Sequence, residues 1–120
     1  MQRSIRGATT ITKDTRENVI TATKELLEKM LEYNSVRHEN IVNIIFTTTA
    51  DISSEFPAVA ARELGLVDVP LLDCQQMKVK DALSLCIRIM LTYNTTRKQK
   101  EIRHIYLHGA KFLRPDLTKK

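Results

Sequence analysis

The chain has 120 residues, 42% of them apolar, which is enough for one hydrophobic core and too few for two. No apolar run approaches the roughly 20 residues of a membrane helix, and the opening "MQRSIRGATT" lacks the apolar stretch of a signal peptide. The net charge of +5, from 19 basic and 14 acidic residues, leaves a nucleic-acid surface open, but there is no interleaving of aromatic with basic residues to favour one.

Cys74 and Cys86 do not make a disulfide framework, and they point to a reducing cytoplasm. No group of His, Cys and carboxylates has metal-ligand spacing, and three glycines provide no phosphate-cradling loop. Residues 1–120 therefore read as one domain, with disorder expected only in the closing "LTKK".

Taken in chain order, "RSIRGATTI" reads as a short strand interrupted by Gly7. In "KDTRENVITATKELLEKMLEYNS", Asp14 stands three residues before Glu17, the spacing of a capping box. Val19, Thr23, Leu26, Leu27, Met30 and Leu31 then keep a helical period to about Asn34. The β-branched run "IVNIIFTTT" predicts a largely buried strand. A short helix follows in "FPAVAARELG", with Pro57 at its first position and Gly65 as its stop.

"LVDVPLL" predicts a strand that Pro70 confines to an edge or an irregular point. In "VKDALSLCIRIMLTYN", Leu83, Ile87, Met90 and Leu91 suggest a third helix with Cys86 buried in it. "EIRHIYL" reads as a strand, "HG" as a tight turn, and "AKFLRPDL" as a last strand stopped by Pro115. The expected order is β-α-β-α-β-α-β-β, an α+β domain whose mixed sheet carries its helices on one face. Both "IVNIIF" and "IRHIYL" are apolar at both parities, so the second face should be buried too, most simply against copies of the chain.

The candidates for chemistry are arginines. Arg88 lies inside "LCIRIM", where a guanidinium must snorkel at the helix margin or meet a buried anion. Arg6 precedes Gly7, Arg62 flanks a helix end, and Arg114 sits in "FLRPDL"; taken alone, each reads more readily as a surface charge. Tyr106 alternates with His104, and its hydroxyl either binds a ligand or finishes a core. His38, His104 and His108 have no serine or cysteine at catalytic spacing, and no carboxylate pair suits glycoside hydrolysis. This chemistry points to an arginine-rich pocket for a small polyanion.

Together, "IRGATT", "FPAVAAREL", "CIRIM" and "IYLHGAKFLRPDL" resemble the monofunctional bacterial chorismate mutases of the trimeric, Bacillus-type family, from Ile5 to Leu117. The resemblance implies a homotrimer closing into a pseudo α/β-barrel with a closed β core and active sites at the subunit clefts. It implies the rearrangement of chorismate to prephenate without a cofactor or metal, on the route to phenylalanine and tyrosine.

Under that resemblance Arg88 contacts the ether oxygen and a carboxylate, while Arg6 and Tyr106 clamp a carboxylate. Phe56 becomes a wall residue of the facing subunit, and Arg62 and Arg114 stand at the mouth. Leu72, Asp73 and Cys74 lie on the segment that touches the ring and its hydroxyl. Gln76 stands where a glutamate is usual, and Val59 where a lysine can occur; Gln75 is left without a role. The alternatives are a family member of weak or lost activity that binds a related dianion, and a small basic RNA-binding protein; neither a nucleic-acid nor a membrane partner is expected.

Overall fold

Gln2–Thr10 form the first strand, β1, in the computed structural model, which describes residues 1–113. β1 is continuous through Gly7, so the expected interruption there is corrected. Its glycine has a packing reason instead: an added Cβ would lie 2.5 Å from Met30 Sδ and 3.1 Å from Leu26 Cδ1. Those side chains belong to α1, Arg16–Tyr33, which lies against the strand along a stripe of Val19, Ile20, Thr23, Leu26, Leu27 and Met30.

The cap of α1 also differs from expectation. Thr15 takes the Asn18 N–H at 3.1 Å, whereas Asp14 accepts the backbone N–H groups of Ser53 and Ser54. Asp14 thus ties the loop before the second helix to the start of the first, and these hydrogen bonds, with those from the two serine hydroxyls, hold its carboxyl below its ordinary pKa.

β2, Ile41–Thr48, and α2, Ala58–Glu63, fall where the sequence placed them. Pro57 is already in helical conformation one residue ahead of α2. Gly65, at φ +92°, closes the helix: its N–H reaches Arg62 O and that of Leu66 reaches Ala61 O. β3, Leu71–Gln75, begins only after Pro70 and runs along one edge of the sheet, which is where a missing donor does least harm.

The expected third helix does not exist. Residues 76–85 form a loop with Asp81 and Leu85 at positive φ, and Cys86–Asn94 form the strand β4. The apparent stripe of Leu83, Ile87, Met90 and Leu91 is a coincidence of period. Ile87, Ile89, Leu91 and Tyr93 are buried, while Arg88 and Met90 between them are exposed, a period of two. Cys86 is buried as expected, but on a strand.

β5 shrinks to Ile105–Tyr106, and residues 108–112 form a 3-10 turn rather than a tight turn followed by a strand. Arg114, Pro115 and the closing "LTKK" lie outside the described residues. The sheet order is β3-β2-β4-β1-β5: β4 pairs antiparallel with β1 and β2, and the outer pairs are parallel.

The result is an α+β domain with both helices on one face. Ile5, Ile44, Phe46, Ile89 and Leu91 meet Leu26, Leu27 and Met30 of α1 and Ala58 and Ala61 of α2. The opposite face carries Ile45, Met90 and Leu72, which remain 37%, 43% and 57% exposed. Overpacking of this kind costs about 1–3 kcal/mol, so Gly7→Ala should lower the unfolding free energy by that amount, read as a fall in the denaturant midpoint at unchanged slope. An unchanged midpoint would show that Met30 and Leu26 yield freely.

Candidate active site

The site grows from the register of two neighbouring strands. β1 and β4 pair Ala8 with Arg88 and Arg6 with Met90. Opposed residues in an antiparallel pair point to the same face, so Arg6 and Arg88 both leave the sheet on the side away from the helices. β5 adds Tyr106 opposite Ala8, and β2 adds Thr47 opposite Arg88. Ala8 contributes little bulk between Arg88 and Tyr106, which leaves space above the strands.

That space is a cavity of about 400 Å³ holding Arg6, Arg88 and Tyr106, with Ile45, Met90 and Leu113 among its apolar walls. Two guanidinium groups enter it, and no carboxylate is among the described residues that line it. Arg88 is exposed rather than centred in a buried stripe, because alternation on a strand turns it to the open face. Its guanidinium draws the neighbouring Cys86 thiol pKa down, although burial dominates and the pKa is raised.

The other expected site residues lie elsewhere in the single chain. Gln76 follows β3, its N–H bonded to Thr48 O at 2.8 Å, and borders a second cavity with Thr49, Met77 and Leu83. Among the described residues its buried Oε1 has no hydrogen-bond partner. Phe56, Asp73 and Cys74 line a third hollow, together with Gln75. Phe56 is 65% exposed there.

Leu72 stands on the open face, in the row of Ile45, Met90 and Arg6. Arg62 is exposed on α2, and Arg114 lies outside the described residues. One chain therefore unites Arg6, Arg88 and Tyr106, and does not bring Phe56, Arg62, Asp73 or Cys74 into the same cavity.

Asp73 is committed locally. Its Oδ1 accepts the Ala58 N–H at 3.1 Å, at the start of α2. Burial raises its pKa; the Ala58 bond and Arg62 oppose the rise, and Glu55 adds to it. Two residues near the arginines were missed in the sequence. Thr47 carries a buried hydroxyl with no partner among the described residues, and His104 accepts the Arg6 backbone N–H at Nδ1. Neither belongs to a recognisable spacing, and only the pairing of strands places them.

The open sheet face of this α+β domain presents two arginines and a tyrosine around one cavity, chemistry suited to a small anion. Residues 2–117 match the family model for chorismate mutase type I. The chain is 47% identical over 118 residues to chorismate mutase AroH of Thermus thermophilus, covering 98% of this chain and 97% of that protein. It is 45% identical over 119 residues to chorismate mutase AroH of Bacillus subtilis, covering 98% and 94%. A solved chorismate mutase from Clostridium thermocellum superposes with a TM-score of 0.90 at 40% identity, over 92% of this chain and 98% of that one. The chain belongs to the type I chorismate mutase family.

The Asp73 carboxyl yields a prediction with a definite sign. A pKa raised above the ordinary 3.8 means that the fold holds the proton more tightly than the unfolded chain does. Stability on this account is lost as pH rises from the ordinary value through the raised one. Asp73→Asn keeps an acceptor for Ala58 without the charge, so it should raise the melting temperature at neutral pH. The gain should close on acidification through that window. A variant less stable than wild type at neutral pH would mean that the charge itself holds α2.

Proposed function

We propose that the cavity above β1 and β4 is where this protein, a chorismate mutase, rearranges chorismate to prephenate. The observation that carries the reading is the convergence of Arg6, Arg88 and Tyr106 on one apolar-walled cavity. Chorismate is a flexible dianion, and the reaction is a unimolecular shift in which one carbon–oxygen bond breaks as one carbon–carbon bond forms. It therefore asks for no nucleophile and no general base. It asks for a compact substrate shape and for positive charge where negative charge gathers.

Arg6 and Tyr106 hold a carboxylate and so fix the conformation. Arg88 meets the ether oxygen, where charge grows as the carbon–oxygen bond opens. An arginine already in place there binds the transition state more strongly than the ground state, which is the condition for catalysis. Gln76 offers its unpartnered Oε1 to the ring hydroxyl. As an amide it accepts a hydrogen bond without bringing the negative charge of the glutamate usual in the family.

The working unit in this reading is a homotrimer in the cytoplasm, its sheets closing on one another in a barrel-like core. The exposed Leu72, Ile45 and Met90 support it, since apolar side chains on an otherwise uncovered sheet face favour burial. Phe56, Arg62, Leu72, Asp73 and Cys74 then serve the cavity of a neighbouring copy. Their separation from Arg6 and Arg88 within one chain is what a shared site requires.

The test is prephenate formation from chorismate by purified protein without added metal, alongside the particle mass in solution. Activity from a species of three chains is expected; a well-folded trimer silent toward chorismate would sink the reading. Arg88→Ala should lose about 10³-fold in kcat with folding intact, in line with removal of a single transition-state donor. Near wild-type turnover would displace Arg88 from its assigned place. Gln76→Glu should raise kcat about tenfold, because a charged acceptor is worth ~1.5–3 kcal/mol against ~1 for a neutral one. Reduced turnover would mean that the pocket is built for an amide.

A further inference from the structure

The ladder between β1 and β5 stops just short of the site arginine. It pairs only Gly7 with Ile105 and Ala8 with Tyr106, and ends with Leu107 N–H on Ala8 O at 2.9 Å. Continued by the parallel rule, it would bring the Arg103 carbonyl to the Arg6 N–H. That carbonyl is engaged elsewhere. Asn34, 1% exposed at the end of α1, accepts the Arg103 N–H and donates to the Arg103 oxygen, both at 2.8 Å. The same amide group donates to Met30 O at 2.9 Å. Asn34 therefore takes both backbone polar groups of Arg103 away from β1.

The Arg6 N–H is left without a backbone acceptor, and the imidazole of the next residue supplies one. His104 Nδ1 accepts it at 2.9 Å. A nitrogen that accepts carries no proton, so the ring is held as the tautomer with its hydrogen on Nε2.

We propose that His104 is a positioning residue for Arg6, replacing the backbone carbonyl that Asn34 has withdrawn from the strand. The inference rests on the mutase reading of the cavity for its kinetic consequence, though not for the bond itself. The bond fixes the peptide from which the Arg6 side chain departs, and the ring lies beside that side chain and Met90 in the hollow adjoining the cavity. An arginine that clamps a carboxylate in ground and transition states alike acts on KM more than on kcat. His104 makes a further interaction as well, so the test must separate the two ring nitrogens.

Asparagine places Oδ1 close to the position of Nδ1, whereas glutamine extends its amide toward that of Nε2. His104→Ala should raise KM about tenfold, the scale of one part-buried donor left unpaired, with kcat changed less than about threefold. His104→Asn should recover KM to within about threefold of wild type, and His104→Gln should stay with the alanine variant. Amide hydrogen exchange at Arg6, slow in wild type and in the asparagine variant and fast in the other two, reads the bond without reference to turnover. If wild type makes no prephenate while this exchange pattern holds, the mutase reading fails and the role of His104 at the Arg6 peptide stands. Wild-type KM with a protected Arg6 amide in His104→Ala overturns the proposal, as does rescue by glutamine and not by asparagine. Should the alanine variant fail to fold, the asparagine–glutamine contrast decides.

Discussion

Everything at the site depends on the antiparallel register of β1 and β4. Pairing Ala8 with Arg88 and Arg6 with Met90 puts both guanidinium groups on the open face, while Ile5, Ile89 and Leu91 enter the main core and Ile87 a smaller cluster with Val19. A slip of one residue on either strand would turn an arginine into the packed layer beneath α1 and an isoleucine out to solvent. The penalty for an unpaired buried charge is several kcal/mol, so the core itself enforces the geometry of the cavity. Cavity charge and hydrophobic burial are two faces of one pleat.

The helix layer contributes at close quarters. Gly7 lets Met30 and Leu26 come down onto β1 directly beneath the arginine row. At the far end of the same helix, Asn34 holds Arg103 and so ends the β5 ladder. Asp14 binds the serine loop before α2, and Asp73 binds the first turn of α2. These four polar and steric contacts are small individually. Together they leave little freedom in the backbone that carries Arg6, Phe56 and Arg62.

The sheet of one chain has a finished face and an unfinished one. On the unfinished face, Leu72, Ile45 and Met90 share the cross-strand row of Arg6. A site for a dianion gains from exclusion of water, because the field of a guanidinium is stronger where the surroundings are apolar. Covering those side chains with further copies would serve assembly and catalysis through the same burial.

Much of this was legible in the residues. The run "IVNIIFTTT" is too β-branched for a good helix, the stripe from Val19 to Met30 fits nothing else, and Gly65 ends α2 as its position suggests. The order of the arginine-bearing segments was enough to mark the family. "SLCIRIMLTYN" was misread because Leu83, Ile87 and Leu91 stand four apart, a spacing that a helix and a strand both keep on one side, and only Met90, exposed on the strand, tells the two apart. Only pairing with β1 and β2 resolves it, since neighbouring strands supply the hydrogen bonds that a lone helix would make within itself. Likewise, no spacing in the sequence joins Asn34 to Arg103 or His104 to Arg6, which lie 69 and 98 residues apart. The sequence by itself determined which residues carry charge, which stretches are apolar and what kind of anion they suit. The tertiary structure decided which face each arginine leaves by and which groups hold it there, because those depend on register between strands distant in the chain.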